Sequence, residues 1–205
     1  IFNERRPDCL RASFFTNLTH NHMKKIILSL IAAALFSSAA LAESPIKLSL
    51  FDTIAWPETQ APYVVLGLVD NHTPTVTGLD FNFISARTDN MTGLQMAFAY
   101  NRATNLVGVH GAIYSSAETT KGVEWGFVNN NTMCIDGAQL GAVNLGNLVR
   151  GAQLGFFNKA VVLKGAQLGF VNYADTVDGG IQIGLANIIK NDGWLPFMVF
   201  VNGRI

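Results

Sequence analysis

The 205-residue chain is 49% hydrophobic and only 14% charged, which excludes an intrinsically disordered polymer and leaves room for one ordinary domain, two at most. Its formal neutrality, 14 Lys+Arg against 14 Asp+Glu, conceals an asymmetry: from Glu43 onward there are nine basic and twelve acidic residues, a net charge of −3. Without a basic patch, nucleic acid is excluded as a partner.

Residues 1–22 carry the charged stretch Glu4-Arg5-Arg6-Pro7-Asp8 with no hydrophobic period. They read as an over-called start or leader without structure of its own. Residues 23–42, MKKIILSLIAAALFSSAALA, read as a signal peptide. Lys24 and Lys25 form the basic end, Ile26 to Phe36 the apolar stretch, and Ala40-Leu41-Ala42 the small-x-small pattern ahead of Glu43. The other reading, a buried or membrane-spanning helix, is disfavoured because a span needs roughly 20 apolar residues. The expected protein is therefore exported, to the cell surface, the outer membrane or the periplasm. Cys9 precedes Glu43, so Cys134 would be left without an internal bridging partner and is expected to pack as a small apolar residue. Residues 43–62 contain the strand-like IKLSLFDTIAW followed by Pro57 and Pro62, an N-terminal cap strand for what comes next.

Residues 63–205 are a tandem β-repeat. The clearest copies are GVEWGFVN (122–129), GAQLGAVN (137–144), GAQLGFFN (151–158), GAQLGFVN (165–172) and GIQIGLAN (180–187). Weaker copies start at 63, 78, 93 and 108, and a last one at 195, so ten rows follow one another in steps of 14 or 15 residues. Counting the first residue of a row as position zero, positions one, three and five are almost all apolar. Position two is mostly polar, with Gln139, Gln153, Gln167 and Gln182. Position four is mostly small, with Gly141, Gly155, Gly169 and Gly184, and position seven is Asn144, Asn158, Asn172 and Asn187 in the regular rows. Gly122 opens the first of these. Position six is apolar in every row, and a further apolar residue recurs two places before the next row, as in Val76, Met91, Leu106, Ile135, Val149 and Leu163.

The alternation over positions one to five is the period-two signature of a half-buried strand. It suggests that Phe81, Phe83, Phe98, Trp125, Phe127, Phe156 and Phe170 pack in a core, with lipid contact or a sugar-stacking surface as the other readings, and that the Gln column forms a ladder of amides on the other face rather than a ligand-binding surface. On that assignment Leu154→Asp should be severe and Gln153→Ala mild. Two all-β architectures fit: a β-solenoid of about ten 14–15-residue coils, or a small outer-membrane antiparallel β-barrel with one strand per row. A corner at the row-opening Gly would let both Val149 and Ala152 point inward, and the uniform step lacks the long outer loops of barrels. Both points favour the solenoid. The last segment, GWLPFMVFVNGRI, is a closing cap in the solenoid and a terminal membrane strand in the barrel.

The unit G-A-Q-L-G-F-V-N at this spacing, behind a signal peptide, resembles a family of bacterial surface repeat-containing proteins found in spirochaetes and other Gram-negative bacteria. The resemblance covers about residues 63–202, is clearest from Gly122 to Asn187, and extends to the ending Gly193-Trp194-Leu195-Pro196-Phe197. It implies a surface location and brings no catalytic residues. Some members look like lipoproteins, whereas no Cys stands directly after Ala42 here.

The residues offer little chemistry. His20, His22, His72 and His110 have no metal-ligand spacing, and no cofactor motif is present. Asp80 and Glu124 share position two but lie three rows apart, roughly 14 Å at the spacing of stacked strands, too far to flank one bond as paired carboxylates. Asp175 and Asp178 sit in one turn, and Ser115-Ser116 has no base nearby in sequence. The expected role is non-catalytic: a structural or interaction protein of the envelope whose partner is a protein or glycan at the cell surface, with membrane association in the barrel alternative.

Overall fold

The computed structural model describes residues 44–204. The leader, the signal peptide and the boundary at Glu43 lie outside them. Among the described residues every regular element is a strand: β1 Ile46–Phe51, β2 Ile54–Trp56, β3 Val64–Gly67, β4 Asp70–Asn82, β5 Ser85–Ala97, β6 Tyr100–Leu140, β7 Val143–Val177, β8 Gly180–Asn191 and β9 Phe197–Arg204. They hydrogen-bond in the order β2-β1-β3-β4-β5-β6-β7-β8-β9. β6 and β7 are long because each runs continuously through more than one coil.

The coils stack in parallel, and the register follows the sequence repeat. Gly78 pairs with Gly93, Gly93 with Gly108 and Gly137 with Gly151; Gln139 faces Gln153, and Asn172 faces Asn187. The protein is thus a β-solenoid of about ten turns. The barrel alternative is overturned, because its strands would have to pair antiparallel around a closed ring. Only the ends are antiparallel: β2 runs against β1, and β9 against β8. The tenth row is therefore a strand that folds back over the last coil.

The interior is narrow. In the coil Gly151–Lys164 the buried positions are Gln153, Asn158, Ala160 and Leu163. The alternation slips twice, at Phe156-Phe157 and at Val161-Val162, where two successive residues stay out of the interior. Two walls result, a short one from Phe157 to Val161 between the slips and a long one from Leu163 of one coil to Phe170 of the next. Alternation is kept across the row-opening Gly, so Val149 and Gln153 both point inward while Ala152 does not. The corner expected at that Gly to bring Ala152 inward is thereby corrected.

These glycines are obligatory for another reason. Gly137, Gly151 and Gly165 have φ between 144° and 154°, and a Cβ on any of them would lie 1.9–2.1 Å from the carbonyl oxygen of the glycine one coil below. The aliphatic column two places ahead of them is the dry core. Val76, Met91, Leu106, Ile135, Val149 and Leu163 are all at most 1% exposed. It forms two clusters, one from Val65 to Leu106 and one from Ile135 to Ile189. The gap between them holds Thr120, buried and polar, in the corresponding column. Cys134 is buried.

Candidate functional site

Two surfaces of the long wall carry the pattern, and the structure places them opposite to expectation. The Gln column is inside. Gln95, Gln139, Gln153, Gln167 and Gln182 are fully buried, together with Asp80, His110 and Glu124, which take the same position in other rows. The apolar positions three and five are outside. The seven aromatic residues expected in a core are exposed, from 40% at Phe81 to 68% at Phe98, and Leu154 is 39% exposed against 0% for Gln153. The expected severity of Leu154→Asp and mildness of Gln153→Ala are thus reversed. The physical reason is space: a coil of 14–15 residues encloses one layer of side chains between walls about 10 Å apart. The Val/Leu column, Gln and Asn already fill it.

Inside, the repeated amides are joined. Gln182 Nε2 donates to Gln167 Oε1, Gln167 to Gln153 and Gln153 to Gln139, each at 2.7 Å. Gln139 donates to Glu124 Oε2 at 2.8 Å. Each also donates across the coil to the backbone carbonyl six residues on, for example Gln153 to Lys159 O at 3.1 Å. The Asn column runs in the opposite sense, with Asn129 donating to Asn144, Asn144 to Asn158, Asn158 to Asn172 and Asn172 to Asn187 at 2.8 Å. Each of these Asn side chains lies over a position-four glycine. A Cβ on Gly155, for instance, would meet Asn144 Nδ2 at 2.7 Å, which is why Gly and Asn recur together in the sequence.

A directional ladder needs an acceptor at its end, and a carboxylate has no proton of its own to place there. Glu124 supplies it for the Gln run, also accepting from Thr120 Oγ1 and, at 3.0 Å, from Asn131 Nδ2. Asp80 does the same for Gln95 at 3.0 Å. Burial raises the pKa of both carboxyls, and their donors oppose that shift. Between the two runs stands His110. Neither of its ring nitrogens has a hydrogen-bond partner among the described residues, and burial lowers its pKa to about 4. These groups are sealed from solvent, so no substrate reaches them. Among the described residues no group of three or more His, Cys, Asp or Glu could hold a metal ion.

Outside, positions one, three and five form an apolar face with no charged side chain in any row from Val64 to Leu185. It continues onto β1 and β2 through Leu48, Leu50, Ile54 and the 76%-exposed Trp56, and onto β9 through Phe200 and Val201. Phe156 and Phe170 stack along it with ring centroids 5.1 Å apart and planes 11° from parallel. A hollow of about 500 Å³ opens at the β1–β2 end, and one of about 400 Å³ between Phe170, Leu185 and Phe200 at the other. Charges lie off this face, in inter-coil pairs such as Lys164–Asp178 at 2.8 Å, Arg150–Asp136 and Arg87–Asp70.

The twelve strands that share the face span about 53 Å at roughly 4.8 Å per step, and positions one to five span about 13 Å. The plan area is roughly 700 Å². The largest apolar patch of an ordinary monomer is about 300–600 Å². This face is the candidate functional site. Its residues were visible in the sequence, but their exposure was not; the signal that pointed to it was the run of Gln, Gly and Asn sized to fill a thin interior. Compared with protein-family models, curated proteins and solved structures, the chain matches none.

Proposed function

We propose that this chain is a non-catalytic, exported interaction or structural protein of the bacterial envelope that works through the apolar outer face of its long wall. The observation that carries the reading is that uncharged face of roughly 700 Å², because water does not leave such a surface uncovered without cost. Support for a non-catalytic role comes from the burial of Asp80, Glu124 and His110 and from the use of both carboxylates as acceptors for the ladders. Support for export comes from the basic-apolar-small order of residues 23–42, and the resemblance to surface repeat proteins points the same way.

The test combines fractionation with surface substitution. Expression from Met23 in a Gram-negative host should give an envelope-associated product whose amino terminus is Glu43. Phe156→Asp with Phe170→Asp should release it from whatever the face contacts while leaving its β-sheet circular dichroism unchanged. A cytosolic, unprocessed product would remove the envelope role, and an unchanged distribution of the substituted protein would remove the face.

A further inference from the structure

We propose that the outer face of the long wall is where two copies of this chain pack against each other, a proposal that rests on reading that face as an interaction surface. The area fits. A plan area of roughly 700 Å² is close to the roughly 800 Å² each partner contributes to an interface of standard size.

The charge pattern favours a second copy over a bilayer. The column bordering position one holds Lys121, Asp136, Arg150, Lys164 and Asp178, of which Arg150–Asp136 and Lys164–Asp178 are paired along the stack. The part of the chain from Glu43 onward is net −3. An anionic membrane thus finds no basic collar, whereas the borders of two copies, each with four of these five charges paired along its own stack, can approach each other.

Shape selects an orientation. In the two rows that open at Gly151 and Gly165 position one is small, Ala152 and Ala166, and position five is large, Phe156 and Phe170, with the two rings stacked. A two-fold axis along the solenoid lays position one of one copy over position five of the other. The ring column then meets the alanine column, coil for coil. A two-fold axis across the solenoid would instead set rings on rings. The former gives a dry, interdigitated interface of two sheets at about 10 Å separation, with the amino-terminal ends of both copies together.

Sedimentation velocity of the full chain, alone and with neutral phosphatidylcholine vesicles, tests this. The expected result is a dimer in plain buffer. Phe156→Asp with Phe170→Asp should raise the dissociation constant by at least about 100-fold with unchanged circular dichroism. Ala166→Phe, which fills the trough, should also weaken the dimer by about tenfold or more. If the double variant does not fold, Phe156→Ser takes its place. A dimer that persists in the substituted proteins overturns the proposal. So does a wild-type monomer that floats with the vesicles, an outcome that leaves the interaction face standing with lipid as its occupant. A wild-type monomer that ignores vesicles and whose distribution in the cell is unaffected by the substitutions defeats both.

Discussion

The coils from Gly122 to Asn187 and those from Tyr63 to Lys121 are built on one register but not on one interior. In the first region every coil contributes an Asn, and every coil after the one that carries Glu124 a Gln, to two oppositely directed ladders, and position four is always Gly beneath the Asn. In the second, position two runs Asp80, Gln95, His110, and position seven has no Asn. Buried polar atoms without partners among the described residues follow that division. Asn71, Asn82, Gln95, Asn101 and both nitrogens of His110 belong to the irregular region. In the regular region the unpaired atoms are the terminal ones of the ladders, Asn129 Oδ1 and Gln182 Oε1, and Oδ1 of Asn131. Repetition satisfies buried amides because each neighbour offers the complementary group at the coil spacing; a single change of residue type breaks the run in both directions.

The largest effect expected from this contrast is at the glycines. Gly151→Ala places a methyl 1.9 Å from the carbonyl of Gly137 and should cost about 4 kcal/mol or more, read as a lower urea midpoint or loss of folded protein. Gly179→Ala, at φ 75° but with nothing within 4 Å, should cost only about 1 kcal/mol.

Next in size is the ladder itself. Gln153→Ala removes bonds to Gln139 and Lys159 O and leaves one N–H of Gln167 and the Oε1 of Gln139 unpaired, an expected loss of about 3 kcal/mol. Leu154→Asp, on the outer face, should cost the monomer under about 1 kcal/mol. Equal unfolding midpoints for these two variants would remove the inside-outside assignment.

His110 provides a pH test of the irregular region. Its folded pKa of about 4 lies below the usual 6.5 because burial disfavours the cation. The unfolded chain binds the proton first as pH falls, so the stabilisation present above pH 6.5 is lost between about 6.5 and 4, at most about 3 kcal/mol. His110→Gln should flatten that part of the stability profile relative to wild type and, by donating to Gln95 Oε1, which has no partner among the described residues, stabilise the protein at pH 5. Parallel profiles for the two proteins would count against an isolated neutral imidazole. The smallest effect is at Phe200, which has φ 72° beside Gly184. Phe200→Gly should raise the unfolding midpoint by an amount equivalent to about 1 kcal/mol.

Much of this architecture was legible in the chain. The 14–15-residue step and the recurring aliphatic column from Val76 to Leu163 follow from the spacing alone; parallel stacking of like residues was favoured over an antiparallel barrel in the sequence and is decided by the strand register. The amide ladders were legible too, as columns. The side of the wall was not: Leu154 and Gln153 alternate as any half-buried strand does, and alternation is symmetric between its two faces. The usual preference for apolar interiors chose the wrong one, since it takes no account of how little volume a short coil encloses.

The sequence by itself determined the period, the residue types that must stack and the glycines that must carry no Cβ. Only the tertiary structure decided which face is enclosed. That choice depends on the two slips of alternation at Phe156-Phe157 and Val161-Val162. They close each coil around Gln, Asn and the aliphatic column, too tightly to admit the aromatic rings, and leave those rings facing outward.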